Sequence, residues 1–229
     1  MSHPDDESFG PGGTIAKYAA LGAEIHLLCA TRGESGQWSD TSQEDRKLAD
    51  VREVEHRKAT AILGIKSHEY MGYIDGYLSN ILLDELVAKI EEKIAAFQPD
   101  ILLTFDLLGL SGHIDHITMA LAATKAFEES KKVKKLYYFV HDKKFTDLVW
   151  KTVKRKMWGR RSDEITTFID VKKFLPIKIK AAKCHITQKK DIDRLMWFWK
   201  LWGKTETFVL GQSRVKSKFP ETDLLAGIN

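Results

Sequence analysis

The chain alternates between two hydrophobic periods, one typical of strands and the other of helices. Short apolar runs predict strands, and these lie at 24–31, 67–74, 100–105, 135–140 and 206–211. Apolar residues at helical spacing predict helices, and these lie at 10–22, 42–63, 81–97 and 114–130. The stretch 166–188 begins as a strand and continues as a helix. Because strands and helices alternate along the chain, we expect an α/β fold with a mostly parallel sheet and helices on both faces.

Three polar segments lie beside the predicted strands and helices. GHIDH at 112–116 follows the strand 100–105, and TRGE at 31–34 ends the strand 24–31. HPDDE at 3–7 precedes the first predicted helix. In open parallel sheets, ligands bind beyond the carboxyl ends of the strands, on loops that lead into helices. The order of the segments therefore predicts one functional site at one edge of the sheet.

The segments HPDDE and GHIDH carry the chemistry of a metal site. Each combines imidazole with carboxylate, and these groups bind borderline divalent cations that leave one coordination position open for water. His3 and Asp6 are three residues apart, as are His113 and His116. Three of these four side chains would suffice as ligands, which leaves other polar groups for acid–base work. We expect the two segments to meet, bind one metal ion and hydrolyse an amide.

Composition limits the other possibilities. With 229 residues and 43% hydrophobic content, the chain has enough apolar material for a single domain over 1–229. Its two cysteines, Cys29 and Cys184, exclude a disulfide framework and indicate a reducing compartment. No apolar run approaches the roughly 20 residues needed to span a bilayer, and no secretory leader opens the chain. We therefore expect a cytoplasmic protein.

Two further segments are unusual in composition. The stretch 131–161 contains twelve lysines and arginines against two acids, although the net charge of the chain is only +4. It is typical of a solvated surface, and it would also attract an anionic substrate, a membrane surface or nucleic acid. MWFWKLW at 196–202 contains three tryptophans, which favours a place in the core or in a subunit interface. We therefore expect a homo-oligomer and no nucleic-acid partner, with membrane contact as the less favoured alternative.

The polar motifs also have a counterpart in a known family. HPDDESFGPGG at 3–13, followed by GHIDH at 112–116, resembles the LmbE-like (PIG-L) family of zinc-dependent N-acetylglucosaminyl deacetylases. TRGE at 31–34 and KAAKCHITQ at 180–188 fit further motifs of that family. The resemblance implies a Rossmann-like fold and a bound Zn²⁺, with Fe²⁺ or Co²⁺ as other candidates. It also implies removal of the N-acetyl group from an N-acetylglucosamine-type amino sugar or its conjugate, a small-molecule substrate.

The resemblance also implies roles for individual residues. By position, the metal ligands would be His3, Asp6 and His116. Asp5 would be the general base that activates water at the metal. His113 would stabilise the oxyanion, and Asp115 would orient it.

Other positions have weaker implied roles. Arg32 and Asp75 would bind substrate, although Arg32 is also compatible with an ordinary surface loop and Asp75 with an Asp-Gly turn. His185 and Gln188 match a family motif without an assigned role. Glu7 would support the site through a hydrogen bond, or would simply be an acid near a helix start.

The chain departs from the family pattern at its beginning. Members have an apolar strand before HPDDE, whereas only Met1 and Ser2 precede it here. We expect either that the true start lies upstream or that the first central strand is truncated. A truncated strand would leave backbone groups unpaired and let His3 and Asp6 fray, which would weaken metal binding and stability.

Three other functions fit parts of the sequence. A metal-dependent phosphoesterase would also use His and Asp ligands, and the basic stretch favours it. A non-haem Fe(II) oxygenase uses two histidines and one carboxylate, but we associate that site with an all-β scaffold. A non-catalytic metal- or sugar-binding module would need no base, yet the candidate base Asp5 and electrophile His113 are both present.

Overall fold

The computed structural model describes residues 1–39 and 47–228, and it confirms the α/β fold. These residues form two compact units, each built from two separate stretches of chain. The first unit comprises Met1–Tyr77 and Asp170–Glu206, and the second comprises Leu78–Ile169 and Thr207–Asn229.

Among its described residues, the first unit contains two strands and five α-helices. Its helices are α1 (Asp6–Phe9), α2 (Gly12–Ala20), α3 (Leu48–Leu63), α8 (Leu175–Ala182) and α9 (Lys189–Trp202). Its strands are β1 (His26–Thr31) and β2 (Ser67–Tyr73), which pair in parallel as predicted. The predicted end of α3 at Gly64 is confirmed by its left-handed backbone, with φ 78°. The helix start expected at Thr41 or Ser42 lies outside the described residues.

The first two residues form backbone hydrogen bonds with β1 of this small sheet. The Met1 amino group donates to the Leu28 carbonyl at 2.7 Å, and the Ala30 N–H donates back to the Met1 carbonyl at 2.9 Å. The Thr31 N–H then donates to the Ser2 carbonyl at 3.0 Å. This is the hydrogen-bond pattern of a parallel ladder. Both residues are buried, so the turn that carries His3 starts from a fixed strand edge.

A buried ion pair connects the distant parts of the first unit. The Lys178 ammonium donates to Glu206 at 2.6 Å and to the Gly10 carbonyl at 2.5 Å. The Glu206 carboxylate also accepts the N–H groups of Gly13 and Thr14, at 2.9 and 2.7 Å. It therefore satisfies the free donors at the start of α2, where a negative charge is favourable.

The second unit contains the larger sheet. Its helices are α4 (Leu83–Phe97), α5 (Gly109–Gly112), α6 (Ile114–Ser130) and α7 (Lys143–Val153). Its strands are β3 (Ile101–Phe105), β4 (Lys135–Val140), β5 (Thr167–Asp170) and β6 (Thr205–Ser213), of which β5 and β6 each reach into the first unit at one end. The strand order is β3-β4-β6-β5. β3 and β4 are parallel, whereas β6 pairs antiparallel with β4, so the alternation of elements did not predict the direction of the last strand.

The basic stretch 131–161 contains a helix, and the tryptophans of the segment 196–202 differ in burial. Helix α7 lies within the basic stretch 131–161 and was not predicted from the sequence; Asp142 caps it by accepting the Lys144 N–H at 2.7 Å. Trp199 in the Trp-rich segment is buried against Leu175 and Leu195, which fits the core interpretation. Trp197 and Trp202 stay about half exposed, so their role in a subunit interface remains a prediction.

Among the described residues, none of the helices has the length and apolar character required to cross a bilayer.

The Lys178–Glu206 pair gives a stability prediction. Glu206→Gln should lower the free energy of unfolding by roughly 3 kcal/mol, because it leaves a buried ammonium without its counter-charge. Urea unfolding of both proteins measures this difference. The matched control is Glu24→Gln, which removes an exposed partner of Lys66 and should change little. Equal losses in the two variants would contradict the importance of the buried pair.

Candidate active site

In the first unit, the amino-terminal turn brings two predicted ligands together. The Asp6 carboxylate accepts the backbone N–H groups of Ser2 and His3, at 3.1 and 2.8 Å. The same carboxylate oxygen, Oδ2, lies 3.7 Å from Nδ1 of His3. Both side chains are buried and offer ligand atoms within 4.8 Å of each other. This pair can therefore contribute two donors to one cation.

Asp75 fixes the orientation of His3. Its Oδ1 lies 2.9 Å from Nε2 of His3, and its Oδ2 accepts the Ser35 N–H at 3.2 Å. Burial opposes ionisation of Asp75, but the hydrogen bond and charge of His3 outweigh it and lower the pKa of the carboxyl. A carboxylate on one ring nitrogen fixes the proton there and leaves the other nitrogen as a ligand. The predicted substrate role of Asp75 stays a prediction, and its contact with His3 gives it a supporting one.

Asp5 is held in an unusual backbone conformation, with φ 120°. The Arg52 guanidinium donates to its carboxylate at 2.9 Å and to the Pro4 and Gly33 carbonyls at 2.5 and 2.8 Å. Burial raises the pKa of Asp5 to about 6, although the Arg52 charge opposes the rise. A carboxyl group that titrates near neutrality is suited to accept and return a proton.

The sequence interpretation missed Arg52, although a signal for it was present. Arg52 lies on α3 with Glu55, His56, Ala59 and Leu63, all buried at helical spacing. A stripe of charged residues on the inward face of a helix is unusual, because burying a charge is costly unless it is paired. That pattern marks the helix as a support for a polar site.

Glu7 lies at the centre of a buried network. It accepts the Asp5 N–H at 3.0 Å and the Ser8 hydroxyl at 2.6 Å. Its carboxylate lies 2.9 Å from Nε2 of His185 and 3.4 Å from Nε2 of His56. Burial opposes its ionisation, but the two imidazoles hold the pKa of Glu7 well below its usual value. Both interpretations of Glu7 fit, since it lies in the first turn of α1 and also supports Asp5.

Arg32 lies near this network but binds neighbouring acids. Its guanidinium contacts Asp50 and Glu53 of α3, both at 2.7 Å. The side chain is about two-fifths exposed. Its role in substrate binding remains a prediction, and the structure shows an ion pair that a substrate would have to share or replace.

In the second unit, His113 caps α6. Its Nδ1 accepts the Asp115 N–H at 3.2 Å, so the neutral ring carries its proton on Nε2. Nε2–H is therefore a donor, as an oxyanion stabiliser requires. The buried Asp115 carboxylate accepts the Leu78 N–H at 3.2 Å and offers an oxygen within 4.8 Å of a ring nitrogen of His113.

His116 has the opposite tautomer. Its Nδ1 lies 3.1 Å from the Gly109 carbonyl, an acceptor, so Nδ1 carries the proton and Nε2 has the lone pair. The ring stacks on Phe105 at the end of β3, with centroids 4.0 Å apart and planes at 5°. This is the tautomer that ligates a metal through Nε2.

The loop before His113 is held by residues that the sequence interpretation missed. Asp106 accepts the Leu108 N–H at 2.8 Å and the Arg160 guanidinium at 2.8 Å. Gly109 and Leu110 both have positive φ, at 67° and 58°. For leucine this conformation is strained, and such strain persists only where surrounding contacts impose it. Arg160 lies 54 residues along the chain from Asp106, so no local pattern could have indicated the contact.

Sequence comparison finds both a matching family model and related proteins. A family model described as GlcNAc-PI de-N-acetylase (PIG-L) matches residues 1–127. The 1D-myo-inositol 2-acetamido-2-deoxy-alpha-D-glucopyranoside deacetylase of Thermobispora bispora is 30% identical over 234 residues, covering 82% of this chain and 77% of that protein.

Solved structures share the fold at lower identity. N,N'-diacetylchitobiose deacetylase from Pyrococcus horikoshii is similar with a TM-score of 0.66 and 21% identity, over 90% of this chain and 79% of that one. GalB, the 4-carboxy-2-hydroxymuconate hydratase from Pseudomonas putida KT2440, is similar with a TM-score of 0.71 and 20% identity, over 96% and 97%. These likenesses show the fold alone, which serves both a deacetylase and a hydratase. Since the family model matches more than half of its length, this chain belongs to the PIG-L (LmbE-like) family.

Proposed function

We propose that this protein removes the N-acetyl group from an N-acetylglucosamine-type amino sugar or its conjugate. The observation that carries the proposal is the opposite protonation of the two histidines in GHIDH. His116 presents a lone pair for a metal, while His113 presents an N–H for a developing oxyanion. Family membership and the relative's name support the same chemistry.

The proposed ligands are His3, Asp6 and His116. Two imidazole nitrogens and one carboxylate oxygen fit Zn²⁺, and Fe²⁺ or Co²⁺ would accept the same donors. In the amino-terminal pair, Nδ1 of His3 and Oδ2 of Asp6 face each other at 3.7 Å, so the donor chemistry fits a cation. A metal bound there would act as a Lewis acid toward water and the amide carbonyl.

The chain's own residues would then carry the proton transfers. Asp5 accepts a proton from the attacking water, and the water oxygen bonds to the acyl carbon. The Nε2–H of His113 donates to the carbonyl oxygen as negative charge develops there. When the C–N bond breaks, the leaving amine takes the proton, and the products are acetate and the free amino sugar. Asp115 would hold His113 in position through the N–H that binds its Nδ1.

The location, self-association and domain organisation of the protein stay predictions. Cys29 and Cys184 are both free thiols, which supports the reducing, cytoplasmic location expected from the sequence. The half-exposed Trp197 and Trp202 support self-association. We also retain one catalytic domain over 1–229, with Arg32 and Asp75 as substrate contacts.

The decisive variant is Asp5→Asn. It should abolish amine release from N-acetylglucosamine conjugates yet retain about one metal ion per chain, because Asp5 is proposed as a base and not as a ligand. Metal content is measured on purified protein, and amine release by a fluorogenic reagent. Loss of the metal in this variant, with activity restored by added zinc, would show that Asp5 and Asp6 have been assigned the wrong roles. Phosphate release from model esters without deacetylation would favour the phosphoesterase.

A second variant tests the oxyanion donor. His113→Ala should lower kcat by roughly 10²–10³-fold with little change in metal content, as expected for loss of one preorganised donor. His141→Ala is a control for removing an imidazole from the same unit, because His141 has no role in the proposal. A loss of metal in His113→Ala would instead identify His113 as a ligand.

The buried network around Glu7 gives a pH-dependent prediction. Burial acts against the charge on His185, but Glu7 outweighs it and raises the pKa of His185 above its usual value. The stabilisation from the charged pair is therefore complete below pH 6.5 and declines as the pH rises through the raised pKa. His185→Gln should cost roughly 1.5–3 kcal/mol at pH 6 and less at pH 9. Urea unfolding at the two pH values measures this, with His26→Gln as the control for replacing an imidazole; a loss that does not shrink at pH 9 would contradict the pairing.

A further inference from the structure

The segment 156–161, with sequence KMWGRR, is basic and contains a tryptophan, and it lies against the loop that leads to His113. The backbone N–H of Trp158 donates to the Leu110 carbonyl at 2.5 Å. Its indole covers Gly112, where an added Cβ would lie only 3.1 Å from the indole Nε1. Gly112 directly precedes His113, so the indole of Trp158 lies against the loop that carries the proposed oxyanion donor.

The segment is fixed from several sides. The Arg160 guanidinium donates to Asp106 at 2.8 Å, and its N–H donates to the His141 carbonyl at 2.8 Å. The Lys143 N–H donates to the Arg160 carbonyl at 2.7 Å. Gly159 has no room for a side chain, because a Cβ would lie 2.5 Å from the Thr146 hydroxyl. These contacts hold the backbone next to Trp158 in place, which lowers the entropy lost when a ligand binds there.

The exposed part of this segment offers two kinds of contact. Trp158 is 45% exposed, and a half-exposed indole provides a flat apolar surface with a polar edge. The Lys156 ammonium lies 4.8 Å from the centre of the ring. Lys156 pairs with no acid in residues 1–39 and 47–228, whereas Arg160 and Arg161 are paired with Asp106 and Asp163. An ammonium group without an acidic partner among the described residues thus lies next to an aromatic surface.

We propose that Trp158 and Lys156 form a specificity site for an amino-sugar conjugate that carries an anionic group. The pyranose ring would pack its C–H face on the indole, and the ammonium would pair with a phosphate or carboxylate on the conjugate. The inference rests on the proposed deacetylation and names its substrate class: anionic N-acetylglucosamine conjugates are preferred over neutral ones. It also gives one lysine of the basic stretch 131–161, Lys156, a role in binding the substrate.

The first test compares two substrates, N-acetylglucosamine 1-phosphate and the neutral methyl glycoside of N-acetylglucosamine. Lys156→Met should lower kcat/KM for the phosphate about three- to tenfold, mainly through KM, and should affect the neutral glycoside less. Trp158→Ala should raise KM for both substrates, and Trp158→Phe should recover most of that loss because it keeps a ring. Equal effects of Lys156→Met on both substrates would overturn the role of its charge.

Matched controls come from the same stretch of chain. Trp150 is 50% exposed and has Lys154 5.9 Å from its ring centre, so it resembles Trp158 in exposure and charge. It lies on α7, and Trp150→Ala and Lys154→Met should leave both KM values unchanged. The proposal fails if these controls alter KM as much as the Trp158 and Lys156 variants do.

A binding experiment separates this inference from the proposed function. In the Asp5→Asn background, titration with N-acetylglucosamine 1-phosphate, followed by calorimetry, should show binding that Lys156→Met and Trp158→Ala weaken. If this binding is found but the parent protein deacetylates nothing, the site stands and the proposed reaction fails. If turnover is found without any dependence on Lys156 or Trp158, the reaction stands and the specificity site is wrong. If the variants instead change only co-sedimentation with anionic phosphatidylglycerol vesicles, the segment is a lipid contact and the inference is overturned.

Discussion

The amino-terminal turn depends on one buried carboxylate. Glu7 has no exposed surface, yet it binds the Asp5 N–H, the Ser8 hydroxyl and the imidazole of His185. A buried charge is tolerated only when several partners compensate its lost hydration. These partners come from the amino-terminal turn and from the segment after α8, and His56 of α3 lies 3.4 Å from the same carboxylate. The carboxylate therefore holds distant parts of the first unit together. The left-handed backbone of Asp5 is held in place by this requirement and by Arg52.

The two histidines of GHIDH show how a short motif can provide two different functions. They lie three residues apart on one helix start, with ring centres 5.1 Å apart. Their protonation is opposite because one ring accepts a backbone N–H and the other donates to a backbone carbonyl. Neither assignment needs another side chain. The backbone of one loop and one helix terminus therefore determines which ring can bind a cation and which can donate a proton.

Much of the fold followed from hydrophobic period. The strands β1, β3 and β4 were predicted because each is a short, continuous apolar run, which is the pattern of a buried strand. Helix α7 was missed, since its buried face includes the polar Thr146 beside Phe145 and Val149, and lysines flank these residues on both sides. The direction of β6 could not be read either, because strand polarity depends on tertiary pairing and not on local sequence.

The candidate site was predictable only where the residues themselves carry chemistry. HPDDE and GHIDH were found because imidazole and carboxylate at short spacing are informative. Arg52, Asp106 and Arg160 were not found, because their importance lies in contacts across 47 and 54 residues of chain. The predicted Arg32 shows the opposite case, an arginine in a plausible position whose partners in the structure are acids of α3.

The stacking of His116 on Phe105 has a consequence for how this protein can diversify. Phe105 sets the plane of the imidazole, and the Gly109 carbonyl sets its rotation within that plane. Both constraints come from a strand end and a backbone atom, so the side chains at 107, 108 and 111 are not required for either. Mutations can accumulate at those three positions while the imidazole keeps its direction. The surface of this loop can thus change in shape and polarity while the candidate ligand His116 keeps its direction.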